Sequence, residues 1–182
     1  LAHIYSLNGQ KEKFKEFTLK SVEICKQAGI MDGMAAGYAN LSASYFKERH
    51  ADPQNLDKAI AYILLSIKTS ESIKDSFALI ASYMSISRNY SEKEMYDSAR
   101  YYLDQSKVYI NGFKREVDYN RYYYYLGSLF HQQKKYADAI TSYFTSVAYS
   151  NRFNIPTYVI TTYKAMTKTY KAMGDYKNAL YY

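Results

Sequence analysis

Residues 123–130 read Tyr-Tyr-Tyr-Leu-Gly-Ser-Leu-Phe, and the pattern they start returns along the 182-residue chain. Each copy places a large, an apolar, a small and a large residue at spacings of three, one and three. This spacing is the helical period of a buried face. The further copies are Tyr163, Met166, Thr167, Tyr170; Tyr83, Ile86, Ser87, Tyr90; and Tyr38, Leu41, Ser42, Tyr45. The step from Tyr38 to Tyr83 is longer than the other two steps. Its additional residues fall in a polar stretch at positions 50–54, which we expect to be an inserted loop.

A second column of small residues follows each copy. Its alanines are Ala59, Ala99, Ala139 and Ala179, and its serines are Ser66, Ser106 and Ser146. Bulky residues surround both sets. A small residue at a fixed place between bulky ones predicts that two helix backbones come close there.

The pattern Tyr123-x2-Leu126-Gly127-x2-Phe130, followed by Ala139-x3-Tyr143, resembles the tetratricopeptide repeat. The resemblance implies an all-α fold, a right-handed α-solenoid of antiparallel helix pairs, here with ten helices. It covers residues 1–182 as a single array. The array divides into a partial repeat 1–32, complete repeats 33–74, 75–114 and 115–154, and a partial repeat 155–182.

The chain departs from that family in two ways. Its period, the step from Tyr123 to Tyr163, is longer than the family's usual step of about 34 residues, and tyrosine occupies the first aromatic column. Extended repeats of this kind resemble the sensor arrays of bacterial signalling proteins and transcriptional regulators. The resemblance therefore implies a sensor or interaction domain that binds protein or peptide. Terminal repeats normally carry a polar capping helix. Since the sequence ends inside a predicted helix, we expect it to be part of a longer chain.

Composition excludes several classes of protein. A single cysteine excludes a disulfide framework and is compatible with both the cytoplasm and the periplasm. No apolar run approaches the length of a membrane span. Cys25 falls in an apolar column, so we expect a buried, inert thiol. The 24 tyrosines are too many to serve one site and must fill structural positions.

Catalytic and metal-binding patterns are missing from the sequence. The three histidines, His3, His50 and His131, lie in different repeats without carboxylates or cysteine at metal-ligand spacing. Glycine-rich phosphate loops and paired carboxylates are also lacking. No basic stripe alternates with exposed aromatic residues, which disfavours nucleic-acid binding. We therefore expect a non-enzymatic domain without cofactor or metal.

The remaining candidate is the concave surface that stacked helix pairs create. We expect the first helix of each pair to line it, and the faces turned away from the core columns form the candidate binding groove. These residues are Asn40, Lys47, Arg88, Arg121, Tyr124, Tyr125, Ser128, His131, Lys164, Lys168 and Lys171. Three lysines one turn apart on one helix repel one another. With a net charge of +7, they predict an acidic peptide or protein segment as the ligand.

An alternative function is assembly. The last predicted helix carries Tyr181 and Tyr182 beyond the column residue Ala179. A bare apolar edge of this kind predicts a scaffold or adaptor that self-associates through its terminal helices into a homo-oligomer.

Overall fold

The computed structural model describes residues 10–182, and this part of the chain is all-α, as predicted. Nine α-helices and one short 3-10 helix (Glu116–Asp118) account for its regular structure. The helices are α1 Lys11–Gln27, α2 Met31–Lys47, α3 Gln54–Ser72, α4 Ser76–Glu92, α5 Tyr96–Gly112, α6 Tyr119–Gln132, α7 Tyr136–Arg152, α8 Pro156–Met173 and α9 Tyr176–Tyr181. The predicted tenth helix, at the N-terminus, lies outside the described residues. None of the nine helices is both long and apolar enough to cross a membrane.

The chain divides into two compact units, with the division after Asn89 inside α4. In the first unit α2 packs against both α1 and α3. In the second unit, Tyr90–Tyr182, each helix from α5 to α9 packs against the next one along the chain. In addition α6 contacts α8, so these two helices stand side by side with α7 packed against both.

The small-residue columns lie at close helix contacts. The alanines Ala59, Ala99 and Ala139 are fully buried. Two serines of the column bond to a neighbouring helix: Ser66 donates to the carbonyl oxygen of Ala35 at 2.9 Å and Ser146 to that of Asn120 at 2.7 Å. Ser106 donates instead to the carbonyl oxygen of Leu103 in its own helix, at 2.6 Å. The alanine column is therefore buried, and two of the three serines link neighbouring helices through backbone carbonyls.

The tyrosine run places a different residue in the core than the repeat frame predicted. Tyr122, rather than Tyr123, is the buried member, with 1% of its surface exposed. Tyr123 is half-buried and stacks on Tyr149 with ring centroids 5.8 Å apart. Tyr119 lies beside both rings. The tyrosines thus build an aromatic layer at the side of the core, and the buried stripe of α6 continues from Tyr122 through Leu126.

The thiol of Cys25 is less buried than the sequence predicted. Cys25 is a half-buried free cysteine near the end of α1. Its sulfur faces Gly33 on α2, where a Cβ atom would lie 2.6 Å from Sγ. The missing side chain at Gly33 makes room for the sulfur.

Helix ends of one kind recur at a regular interval along the chain. A residue with positive φ lies in each of six consecutive connections: Lys74, Glu94, Lys114, Lys134, Asn154 and Gly174. The next residue donates its N–H to a carbonyl in the last turn, as in Lys135 to Phe130 at 2.9 Å. This is the Schellman arrangement, which closes a helix through one left-handed residue. The longer loop that the repeat offset predicted is present between Lys47 and Gln54.

We expect Lys134→Gly to raise the free energy of unfolding by about 0.5–1 kcal/mol. The left-handed conformation strains a residue that has a Cβ atom, and glycine removes this strain at some cost in chain entropy. The matched control is Gly174→Ala, which we expect to destabilise by about 1 kcal/mol. No atom lies within 4 Å of a Cβ built there, so the effect reports backbone strain alone. Urea denaturation measures both, and a destabilised Lys134→Gly variant would contradict the assignment.

Candidate functional site

A cleft of about 290 Å³ opens to solvent between α6, α7 and α8 in the second unit. Its walls are the two helices that the repeat frame treats as first helices of successive pairs. From α6 come Tyr124, Ser128, His131 and Gln132, from α7 Tyr143, and from α8 Thr161, Lys164, Ala165 and Lys168. Five of the predicted groove residues therefore lie together: Tyr124, Ser128, His131, Lys164 and Lys168.

A network of polar side chains lies at the inner side of the cleft. Tyr143 is 2% exposed, and its hydroxyl lies near those of Ser128 and Thr169. Burial raises the pKa of the Tyr143 hydroxyl well above its usual value, so the group stays neutral. The centroids of the Tyr124 and Tyr143 rings lie 6.1 Å apart. These contacts tie α6, α7 and α8 together and fix the positions of the walls.

His131 belongs to this network, whereas the sequence placed it on an exposed helix face. Its ring is half-buried, and Nδ1 lies 2.9 Å from the Thr169 hydroxyl. Thr169 donates its only proton to the carbonyl oxygen of Ala165 at 2.9 Å. While Thr169 donates to Ala165, its oxygen can accept a hydrogen bond from a protonated Nδ1. Burial, and then the charge of Lys168, lower the pKa of His131 below 6.5, which favours the neutral ring.

The fixed charge of the cleft is positive. Lys164 and Lys168 are exposed and lie one helical turn apart on α8. No side chain that lines the cleft is a carboxylate. Among the residues that the structure describes, neither lysine has an acidic partner within ion-pair distance. Two unpaired ammonium groups on one face repel each other, and an anion between them would relieve that repulsion.

Three predicted groove residues of the second unit lie outside the cleft. Arg121 is half-buried, and its Nη1 lies 4.0 Å from a carboxylate oxygen of Asp118. This carboxylate offsets the positive charge of the guanidinium. Tyr125 packs edge-on against Tyr124 at 5.4 Å without lining the cleft. Lys171 is exposed one turn beyond Lys168. Arg121 and Tyr125, which the sequence placed in the groove, therefore lie outside this cleft, because spacing along one helix could not account for the ion pair and the ring contact.

The other predicted groove residues belong to the first unit. Asn40 and Lys47 are exposed on α2. Arg88 is half-buried, and its guanidinium lies 3.8 Å from the centre of the Phe46 ring. This cation–π contact gives Arg88 a packing role within its unit. The expected groove through all the repeats stays a prediction.

Sequence reasoning missed four residues of the cleft: Gln132, Tyr143, Thr161 and Ala165. Tyr143 belongs to the repeat pattern and is buried, but its ring also faces the cleft. Two of the others could have been found from spacing. Thr161, Ala165 and Lys168 follow one another at four and three residues, so they share one face of α8 with Lys164.

No family model matches the chain, and no curated protein matches it in sequence. Among solved structures, the fold is similar to that in the crystal structure of BtubC (BKLC) from P. vanneervenii. The TM-score is 0.74 at 17% sequence identity, and the match covers 98% of this chain and 72% of that one. At this identity the similarity concerns the helical fold alone.

Proposed function

We propose that this chain is a non-catalytic scaffold of the tetratricopeptide type, a solenoid of antiparallel helix pairs that binds acidic peptide or protein segments. In this proposal it serves as the sensor or interaction domain of a bacterial regulatory protein. The binding surface is the cleft between α6 and α8. The observation that carries the proposal is the combination of two unpaired lysines with a cleft wall that contains no carboxylate.

The helix arrangement supports the solenoid. Short connections between long helices place consecutive helices antiparallel, and α6 contacts α8 across one intervening helix. Repetition of such pairs lines one face with alternate helices. The cleft lies between two of these alternate helices, which is the place where an extended segment would run.

The side chains of the cleft suit an acidic segment. Lys164 and Lys168 supply charge, Gln132 supplies an amide, and Tyr124 supplies apolar surface. Exposed ion pairs contribute about 0.2–1 kcal/mol each, so several must act together to give useful affinity. Affinity should therefore fall steeply between about 0.1 M and 1 M salt, as the screening length shrinks from about 10 Å to 3 Å.

Peptide titration with charge-reversed variants tests the proposal. We expect the wild type to bind a glutamate-rich peptide pool and to ignore a lysine-rich pool. Lys164→Glu with Lys168→Glu should weaken binding of the acidic pool by at least about tenfold, because two attractions become repulsions. Fluorescence anisotropy of labelled pools at low salt gives the affinities.

The control is a second pair of exposed lysines in the same unit, Lys135 and Lys177, changed to glutamate. This pair changes the net charge by the same amount without touching the cleft. If both double variants lose affinity equally, binding depends on net charge and the site assignment is wrong. Equal binding by the wild type and the Lys164, Lys168 variant would also overturn the site assignment, because neither lysine would then contribute to binding.

Self-association is the second candidate function, and the end of the second unit supports it. Leu180 is 88% exposed and Tyr181 is 80% exposed, next to the buried Ala179. Apolar side chains with so much exposed surface favour contact with another apolar face. Light scattering on the isolated chain tests this candidate: we expect mass to rise with concentration, and Leu180→Lys to suppress the rise. A monomer at every concentration would exclude it.

A further inference from the structure

The second-unit cleft has a chemical preference that goes beyond general acidity. We infer that the group selected by Lys164 and Lys168 is the phosphoryl group of a phosphorylated side chain in a peptide segment, in preference to a carboxylate. This inference rests on the proposed function, since it specifies which anion the same cleft takes.

Hydrogen-bond donors outnumber acceptors among the cleft side chains. Each of the two ammonium groups carries three N–H donors, and the Gln132 amide adds two more. None of these groups has a hydrogen-bond partner among the described residues. A carboxylate presents two oxygens, whereas a phosphoryl group presents three strong acceptors. The tetrahedral anion therefore uses donors that a carboxylate leaves unpaired.

Charge points to the same group. Lys164 and Lys168 contribute two positive charges, and no carboxylate lines the cleft to offset them. One glutamate carboxylate would neutralise only one of the two lysine charges, so the repulsion between Lys164 and Lys168 would be only partly relieved. A phosphorylated side chain carries a charge of about −1.5 to −2 at neutral pH, which matches both lysines.

Size limits what the cleft can hold. Its volume of about 290 Å³ is just below the range of about 300–1,000 Å³ that small-molecule sites occupy. A single anionic side chain fits such a space, with the Tyr124 ring and the Ala165 methyl group beside its carbon atoms. The rest of the peptide would lie along the open side between α6 and α8.

Three peptide pools test the inference. Each has a fixed central residue, which is serine, glutamate or phosphoserine, flanked by degenerate uncharged residues. We expect the phosphoserine pool to bind the full chain about tenfold more tightly than the glutamate pool, the factor that one additional charge-assisted hydrogen bond provides. The serine pool should bind least. Lys164→Gln with Lys168→Gln should abolish the preference, while Lys135→Gln with Lys177→Gln should retain it. Inorganic phosphate, the free form of the same chemistry, should compete only at far higher concentration than the phosphoserine pool.

Each contrary result has a separate meaning. Equal affinity for the phosphoserine and glutamate pools would overturn the phosphoryl preference and leave acidic-segment binding intact. A preference that survives Lys164→Gln with Lys168→Gln would place the phosphoryl site elsewhere and overturn the assignment. Competition by inorganic phosphate as tight as that of the pool would replace the phosphorylated segment by a free phosphate. Binding of no pool, with no binding of glutamate-rich peptides, would overturn the proposed function as well.

Discussion

Replacement of Tyr122 by alanine should lower the free energy of unfolding by about 3–5 kcal/mol, the range for deletion of a buried aromatic side chain. Tyr122 is 1% exposed, and its ring meets the rings of Tyr119 and Tyr123 edge-on at 6.0 and 5.2 Å. Truncation removes this buried surface and leaves a cavity that the helices can only partly close. Urea denaturation followed by circular dichroism measures the loss.

Two controls are needed. One separates the contribution of the Tyr122 ring from that of its hydroxyl, and the other compares a buried tyrosine with an exposed one. Tyr122→Phe removes only the 3.3 Å hydrogen bond to Asp104, so we expect a loss of about 0.5–1.5 kcal/mol. Tyr101 is 58% exposed on α5, and Tyr101→Ala should change stability by no more than about 0.5 kcal/mol. If Tyr101→Ala proved as costly as Tyr122→Ala, the description of this core would be wrong.

The second large effect concerns the close contact between α6 and α7. Ala139→Leu should destabilise the protein by about 1–3 kcal/mol, because additional carbon atoms in a packed contact force backbone shifts. Ala139 is fully buried, and its carbonyl oxygen lies only 3.0 Å from the place of a Cβ atom at Gly127. The two backbones therefore have no room for a larger side chain. In thermal melts the melting temperature should fall by about 2–4 °C for each kcal/mol of stability lost.

Ala137 provides the matched control, since it lies on the same helix and is exposed. Ala137→Leu makes the same chemical change with little expected effect. Gly127→Ala tests the contact from the opposite helix, where the new methyl group would lie 2.7 Å from ring carbons of Tyr143. A neutral Ala139→Leu variant would mean that α6 and α7 do not approach each other as described.

Much of the fold could be predicted because its repeat columns carry strong contrast in side-chain size. Ala59, Ala99 and Ala139 stand between bulky residues, and close helix contacts require small ones. The position of Tyr122 could not be predicted in the same way. Four consecutive tyrosines offer no contrast, so only packing against α5 and α7 decides which ring is buried. The regular interval of left-handed helix ends could not be predicted from the sequence either. Most of these positions carry lysine or glutamate instead of glycine, the residue that usually indicates a left-handed conformation.

The cleft was partly predictable for a different reason. Lys164 and Lys168 share a helix face, and periodicity alone reveals that. The surroundings of His131 depend on Thr169 and those of Arg121 on Asp118, and neither contact follows from the spacing of one helical face. The sequence therefore indicated which helices line the cleft, while contacts between side chains decided which residues face it.

The central claim to be tested is that acidic segments bind in the second-unit cleft. Amide chemical-shift mapping tests it most directly, by titration of an isotope-labelled chain with an oligoglutamate peptide at low salt. We expect the largest shifts for α6 around Ser128 and His131 and for α8 around Lys164 and Lys168, with little change in the Lys164→Glu, Lys168→Glu variant. Shifts confined to other helices, or none at millimolar peptide, would contradict the claim.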